Sequence, residues 1–75
     1  MSRMPAVLYT TAGCPHCDAL RARLAADGVA FREIDVAREP HTIPELLKLT
    51  RGRRVVPVVV RDGRIEIAPA GGSTF

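Results

Sequence analysis

The sequence predicts an α/β fold: a mixed four-stranded sheet with two helices, in the order β-α-β-α-β-β. Three observations predict it. Short apolar or β-branched runs alternate with stretches of helical period. Both helical stretches open on a recognisable starter and close on a glycine. The first two strand candidates are joined through a helix and must run parallel, whereas the last two flank Asp62-Gly63, a tight-hairpin signal, and must run antiparallel.

Each element follows from its residues. Ala6 to Tyr9, "AVLY", is a short apolar run that reads as a buried strand, and Thr10 to Gly13 reads as a loop. From Pro15 the chain turns helical, because proline at a first helical position loses no hydrogen bond. Cys17, Leu20 and Leu24 then share one face, and Gly28 is the natural stop. Val29 to Val36, "VAFREIDV", is a strand by its β-branched and aromatic content, although Phe31 and Ile34 do not fit one period-two face. Thr42 and Glu45 have capping-box spacing; Ile43, Leu46, Leu47 and Thr50 recur at helical intervals up to Gly52. Val55 to Val60 holds five valines around Pro57 and reads as one strand. "RIEIA" is its half-exposed partner, and "PAGGSTF" reads as loop. Right-handed crossover fixes most of the topology.

Length and composition bound the function. Residues 1–75 read as a single domain, 47% hydrophobic and 25% charged, with no repeat or low-complexity segment. No apolar run approaches the roughly 20 residues that span a bilayer, and the start does not read as a secretory signal. The expected setting is therefore cytoplasmic, with no membrane partner. The net charge of +3 is mildly basic, and the three aromatic residues do not interleave with a basic stripe, so no nucleic-acid partner is expected.

Both cysteines lie in "TTAGCPHCDAL". In a reducing compartment such a pair is catalytic or metal-binding rather than structural, and a disulfide across two residues would constrain the unfolded chain little. Zinc needs about four ligands, and beyond the cysteines the candidates are His16, tied to the same turn, the isolated His41 and carboxylates, so no metal is expected. Cys14 lies just before the first helical turn, near unpaired N–H groups and the positive end of the helix dipole. Such positions lower a cysteine from about 8.5 to roughly 3.5–7.5. Cys14 is thus the expected nucleophile, exposed. Cys17, three residues on and facing the same way as Leu20, is the shielded resolving thiol. His16 either adds positive charge beside Cys14 or simply faces solvent.

The residues "YTTAGCPHC" after a strand, "FREIDV" on the second and "VVPVVVRDG" on the third resemble the glutaredoxin family of the thioredoxin superfamily, over Ala6 to about Ile67. The likeness extends to short bacterial glutaredoxin-like redoxins. It implies a thioredoxin-like fold without a C-terminal helix, and a monomeric dithiol-disulfide oxidoreductase serving electron transport and redox homeostasis. The active-site motif would be Cys14-Pro15-His16-Cys17. It further implies a cis Val56-Pro57 bond facing the cysteines, with the Val56 main chain open to pair with a peptide or glutathione. Thr11 stands where the family often has lysine, and His16 where it often has tyrosine. Gly71-Gly72-Ser73 comes four residues later than the family's usual Gly-Gly, which precedes a residue that caps the glutathione carboxylate. Arg54, from the cluster Arg51 to Arg54, is a candidate contact for that carboxylate. No bound cofactor is implied; glutathione is the expected reductant. The alternatives are a redoxin reduced by thioredoxin reductase and serving ribonucleotide reductase, or a module holding an iron–sulfur cluster.

Overall fold

The computed structural model describes residues 5–69 and 71–75. Among the described residues six strands and two α-helices follow one another: β1 (Ala6–Thr10), α1 (Pro15–Ala26), β2 (Phe31–Asp35), α2 (Ile43–Thr50), β3 (Val55–Val56), β4 (Val58–Arg61), β5 (Arg64–Ile67) and β6 (Ser73–Thr74). The main sheet has the order β2-β1-β4-β5, with β1 parallel to β2 and antiparallel to β4. The expected mixed four-stranded sheet is present, with its predicted strand directions.

Side-chain alternation along β1 and β4 sends residues to both faces of this sheet. On one face Ala6, Leu8 and Val59 pack with Leu20 and Leu24 of α1. On the other, Tyr9 and Val58 pack with Leu46 of α2, with Val36 and with both cysteines. The two helices therefore cover opposite faces, which explains why the central strands read as unbroken apolar runs. The hairpin β4–β5 closes through Asp62 and Gly63 at φ of 50° and 75°, the left-handed pair that a two-residue turn requires.

Two expectations about local structure change. The residues Pro40–Thr42 form a 3-10 turn that runs directly into α2, and the Thr42 hydroxyl donates back to the Glu39 carbonyl at 2.6 Å. Thr42 is therefore spent on its own turn and makes no side-chain cap, so the capping box with Glu45 does not form. The run Val55 to Val60 is not one strand either. Pro57 has no N–H to give a ladder, and the chain divides around it into β3 and β4. While β4 stays in the main sheet, β3 pairs antiparallel with β6, inside the segment read as loop. A strand of two residues is too short for its periodicity to be legible.

Candidate active site

Cys14 ends the loop after β1 and caps α1, with extended backbone at φ −100° and ψ 105°. Its Sγ accepts the main-chain N–H of Cys17 at 3.1 Å, and its carbonyl accepts from Cys17 and Asp18. A sulfur in the N-cap position satisfies an otherwise unpaired helix donor, and an anionic sulfur does so better than a neutral one. Burial pushes the Cys14 thiol up. Hydrogen bonds from the Cys17 thiol, the Ser73 hydroxyl and the main-chain N–H groups of Cys17 and His16 outweigh it, so the net direction is down.

Cys17 goes the other way. Burial, then the hydrogen bond and charge of Cys14, push its thiol up to about 12, against a smaller opposing effect of the Thr11 main chain and Arg21. The two thiols share one turn and titrate as a pair. Of the two, Cys14 is the one that gives up its proton first.

The opposite wall is the Val56–Pro57 bond, which is cis. Val56 and both cysteines belong to one buried cluster. Thr11 lies half-buried in the loop before the motif, with its main chain facing the Cys17 thiol. Pro15 and His16 are exposed in the first turn of α1, and the His16 ring lies against Gly71: a Cβ there would come within 2.9 Å of it. Between His16, Leu20, Arg23, Pro57, Pro69 and Gly71 lies a small apolar cavity of about 90 Å³. A larger one of about 710 Å³ lies at the far end of the sheet, near Gly28, Arg61 and Arg64, and contains no thiol.

Three expectations about these residues are corrected. Cys14 is not the exposed member of the pair: it is 2% exposed and Cys17 0%. Its position at a helix cap beside Val56, with Ser73 acting on its sulfur, encloses it. The Val56 main chain is not open, because β6 pairs Val56 with Ser73. Nor is Arg54 a free guanidinium. Its Nε donates to the Phe75 carbonyl at 2.9 Å, and its Cζ lies 4.8 Å from the centre of the Phe75 ring. The residues from Gly71 to Phe75 are thus part of the site; the sequence pointed to Gly71-Gly72-Ser73 only through the family resemblance and did not place them as a strand against Val55-Val56. The available signal was indirect: Val55-Val56 needs a partner on its outer side, and Ser73-Thr74 is the remaining extended stretch.

Among the described residues, no three His, Cys, Asp or Glu side chains gather where they could hold a metal ion, and no helix is long and apolar enough to cross a membrane. No curated protein matches the sequence. The fold is similar to that of a solved glutaredoxin from Archaeoglobus fulgidus, with a TM-score of 0.75 and 24% identity over 92% of this chain and 75% of that one. The glutaredoxin family model matches residues 6–66, which takes in the capped cysteine pair and the Val56–Pro57 wall, and on that match the chain belongs to the glutaredoxin family.

Proposed function

We propose that the protein is a dithiol-disulfide oxidoreductase that reduces protein disulfides or mixed disulfides with glutathione. The observation that carries this reading is the asymmetry of one helical turn: Cys14 is an N-cap sulfur whose pKa is drawn down, and Cys17 beside it is pushed up to about 12. The thiolate of Cys14 attacks one sulfur of a substrate disulfide. A Cys14–substrate disulfide forms and the other substrate sulfur leaves as a thiolate, which takes up a proton. Cys17 then loses its proton and attacks Cys14 Sγ, forming the Cys14–Cys17 disulfide and releasing the second substrate thiol. Two electrons have passed to the substrate, and two thiols of an external reductant return them.

Formation of the mixed disulfide consumes the charge on Cys14. That removes one cause of the raised Cys17 pKa, so the resolving thiol becomes easier to ionise at the stage when it must attack. Glutathione is the proposed reductant, and a reductase of the thioredoxin type is the alternative. Thr11 in place of a lysine favours testing both.

The test uses an insulin-type protein disulfide and a glutathione mixed disulfide, each assayed with glutathione plus its reductase and with thioredoxin reductase. Cys14→Ser abolishes turnover on both substrates, and Cys17→Ser accumulates a covalent substrate adduct on Cys14, visible by mass spectrometry. An adduct-free Cys17→Ser protein, together with a Cys14 that alkylates like an ordinary thiol, would remove the basis of the proposal.

A further inference from the structure

The segment from Gly71 to Phe75 runs along Val55-Val56, beside the cysteine pair. Phe75 N–H donates to the Arg54 carbonyl at 3.2 Å. Hydrogen-bonded pairs alternate along an antiparallel ladder, so the next such pair, two residues on, is Val56 with Ser73. The main-chain groups of Val56 that would receive an incoming peptide are therefore taken. Gly72 is pressed against the same strand: a Cβ there would lie 2.7 Å from the Val56 carbonyl oxygen, 2.8 Å from Ala68 Cβ and 2.9 Å from Val55 Cγ2. Gly71 closes on the His16 ring, and Ser73 lies close enough to act on the Cys14 sulfur. Cys14, which must meet a disulfide in line, is 2% exposed under this arrangement.

We infer that Gly71–Phe75 occupies the strand position an extended disulfide substrate takes along Val55–Val56, and that substrate reaches Cys14 by exchanging with this segment. The inference rests on the dithiol reading above and adds a specificity device to it. The segment is held by two residue pairs in a sheet of its own, by the contact of Arg54 with Phe75 and by the partly buried Phe75 ring. Few, mostly exposed interactions of this kind open at small cost compared with the main sheet. An extended peptide replaces the lost strand hydrogen bonds with its own, as in other additions of a strand to a free edge. A small disulfide replaces none of them, so the freed edge favours the peptide over the small disulfide.

Gly72→Val and Phe75→Ala test this without touching the cysteines or the Ser73 hydroxyl. The first forces a side chain into the Val56 carbonyl; the second removes the ring that packs on Arg54 and against the buried cluster. Both are expected to raise kcat/KM for a linear cysteine peptide in its symmetrical disulfide form by about tenfold, the loss of one or two net hydrogen bonds or a comparable apolar contact. They should also raise the Cys14 alkylation rate and hydroxyethyl disulfide reduction, because a small reagent needs the segment open as well. An unchanged or lower peptide kcat/KM in a folded variant overturns the inference.

A second measurement keeps the segment unaltered. In Cys17→Ser, the peptide is trapped on Cys14 and amide hydrogen exchange is followed. Ser73 and Phe75 amides, protected in the free protein, are expected to lose protection in the adduct. An adduct that forms with those amides still protected overturns the inference and leaves the dithiol reading intact. Failure to form any adduct overturns the dithiol reading itself.

Discussion

Two antiparallel ribbons meet at Pro57 and differ in almost every respect. The β4–β5 ribbon has four residue pairs, closes through a two-residue turn and belongs to the main sheet. The β3–β6 ribbon has two pairs, joins residues far apart in the chain and forms a sheet of its own. The first is anchored through Val58 and Val59, both 0% exposed, on opposite faces of the core. The second lies over the cysteine pair. Local, many-paired structure carries the fold; non-local, few-paired structure borders the reactive sulfur. Because loop-closure entropy is repaid by few contacts in β3–β6, that ribbon is the one that can open while the rest stays folded.

Substitution in the core on the β4 side breaks the comparison most forcefully. Leu8 is fully buried and pairs with Val59. Leu8→Ala is expected to lower stability by about 2–5 kcal/mol in urea unfolding, through lost transfer energy and the cavity left behind. The Cys14 alkylation midpoint of the molecules that remain folded should not move. A shifted midpoint would mean that the two regions are not separable.

The thiols give the next largest effect, this time on the β3 side. With Cys14 drawn below the ordinary thiol value and Cys17 pushed up to about 12, Cys14 carries the larger thiolate fraction at pH 7. Higher basicity makes a thiolate more nucleophilic, with a Brønsted slope of about 0.4–0.5, which returns only part of that difference. Cys14 should therefore alkylate faster than Cys17 at neutral pH. Peptide mapping after brief iodoacetamide treatment of the reduced protein measures the ratio; equal labelling would contradict it. The sign of the pH dependence follows from the same directions. The Cys14 rate rises with pH to a midpoint below that of an ordinary thiol, and the Cys17 rate is still rising well above it.

The hairpin tip lies at the opposite end of the sheet from the thiols. Gly63→Ala places a Cβ at φ 75°, a conformation that costs a side chain about 1–2 kcal/mol. Thermal unfolding should show that loss, and peptide disulfide reduction should be unchanged. The same ribbon shows why some of the structure was legible in the sequence. Asp62-Gly63 announces its turn by residue type, and the apolar faces of β1, α1 and β4 announce themselves by repetition. The cysteine pair was legible because strand, loop and Pro-started helix fix where Cys14 must fall.

What escaped the sequence depended on contacts between distant, unpatterned residues. Nothing in "GGSTF" marks it as the partner of Val55-Val56, and so the burial of Cys14 and the occupied edge of Val56 were missed. The capping box failed for a related reason. Its spacing was correct, but the preceding Pro40–Thr42 turn redirected the Thr42 hydroxyl to Glu39. Spacing identifies a donor that is available. It does not say which nearby acceptor wins.

The smallest expected effect concerns the ion pair that ties α1 to β2. Arg21 Nε and Nη2 reach the two Glu33 carboxylate oxygens at 2.6 Å each, and Thr10 Oγ1 donates to the same carboxylate at 2.9 Å. Arg21, and then Thr10, hold the Glu33 carboxyl below its ordinary value against the opposing effect of burial. A carboxyl depressed in the folded state contributes stability above its unfolded pKa of about 4.3, and loses it as pH falls through the folded value. The pair is partly solvated, with side-chain exposures of 38% and 30%, so Glu33→Gln is expected to cost no more than about 1 kcal/mol at pH 7. The difference from the unsubstituted protein should shrink with added salt, and vanish once pH falls below the folded pKa of Glu33. Arg21 also acts on Cys17, where its charge opposes the upward shift, but is not among the groups that set Cys14. Freeing Arg21 from Glu33 should therefore lower the Cys17 midpoint slightly and leave that of Cys14 in place. A shift of both together would show that charge on the α1–β2 side reaches the nucleophile, and that the cap of α1 alone does not govern it.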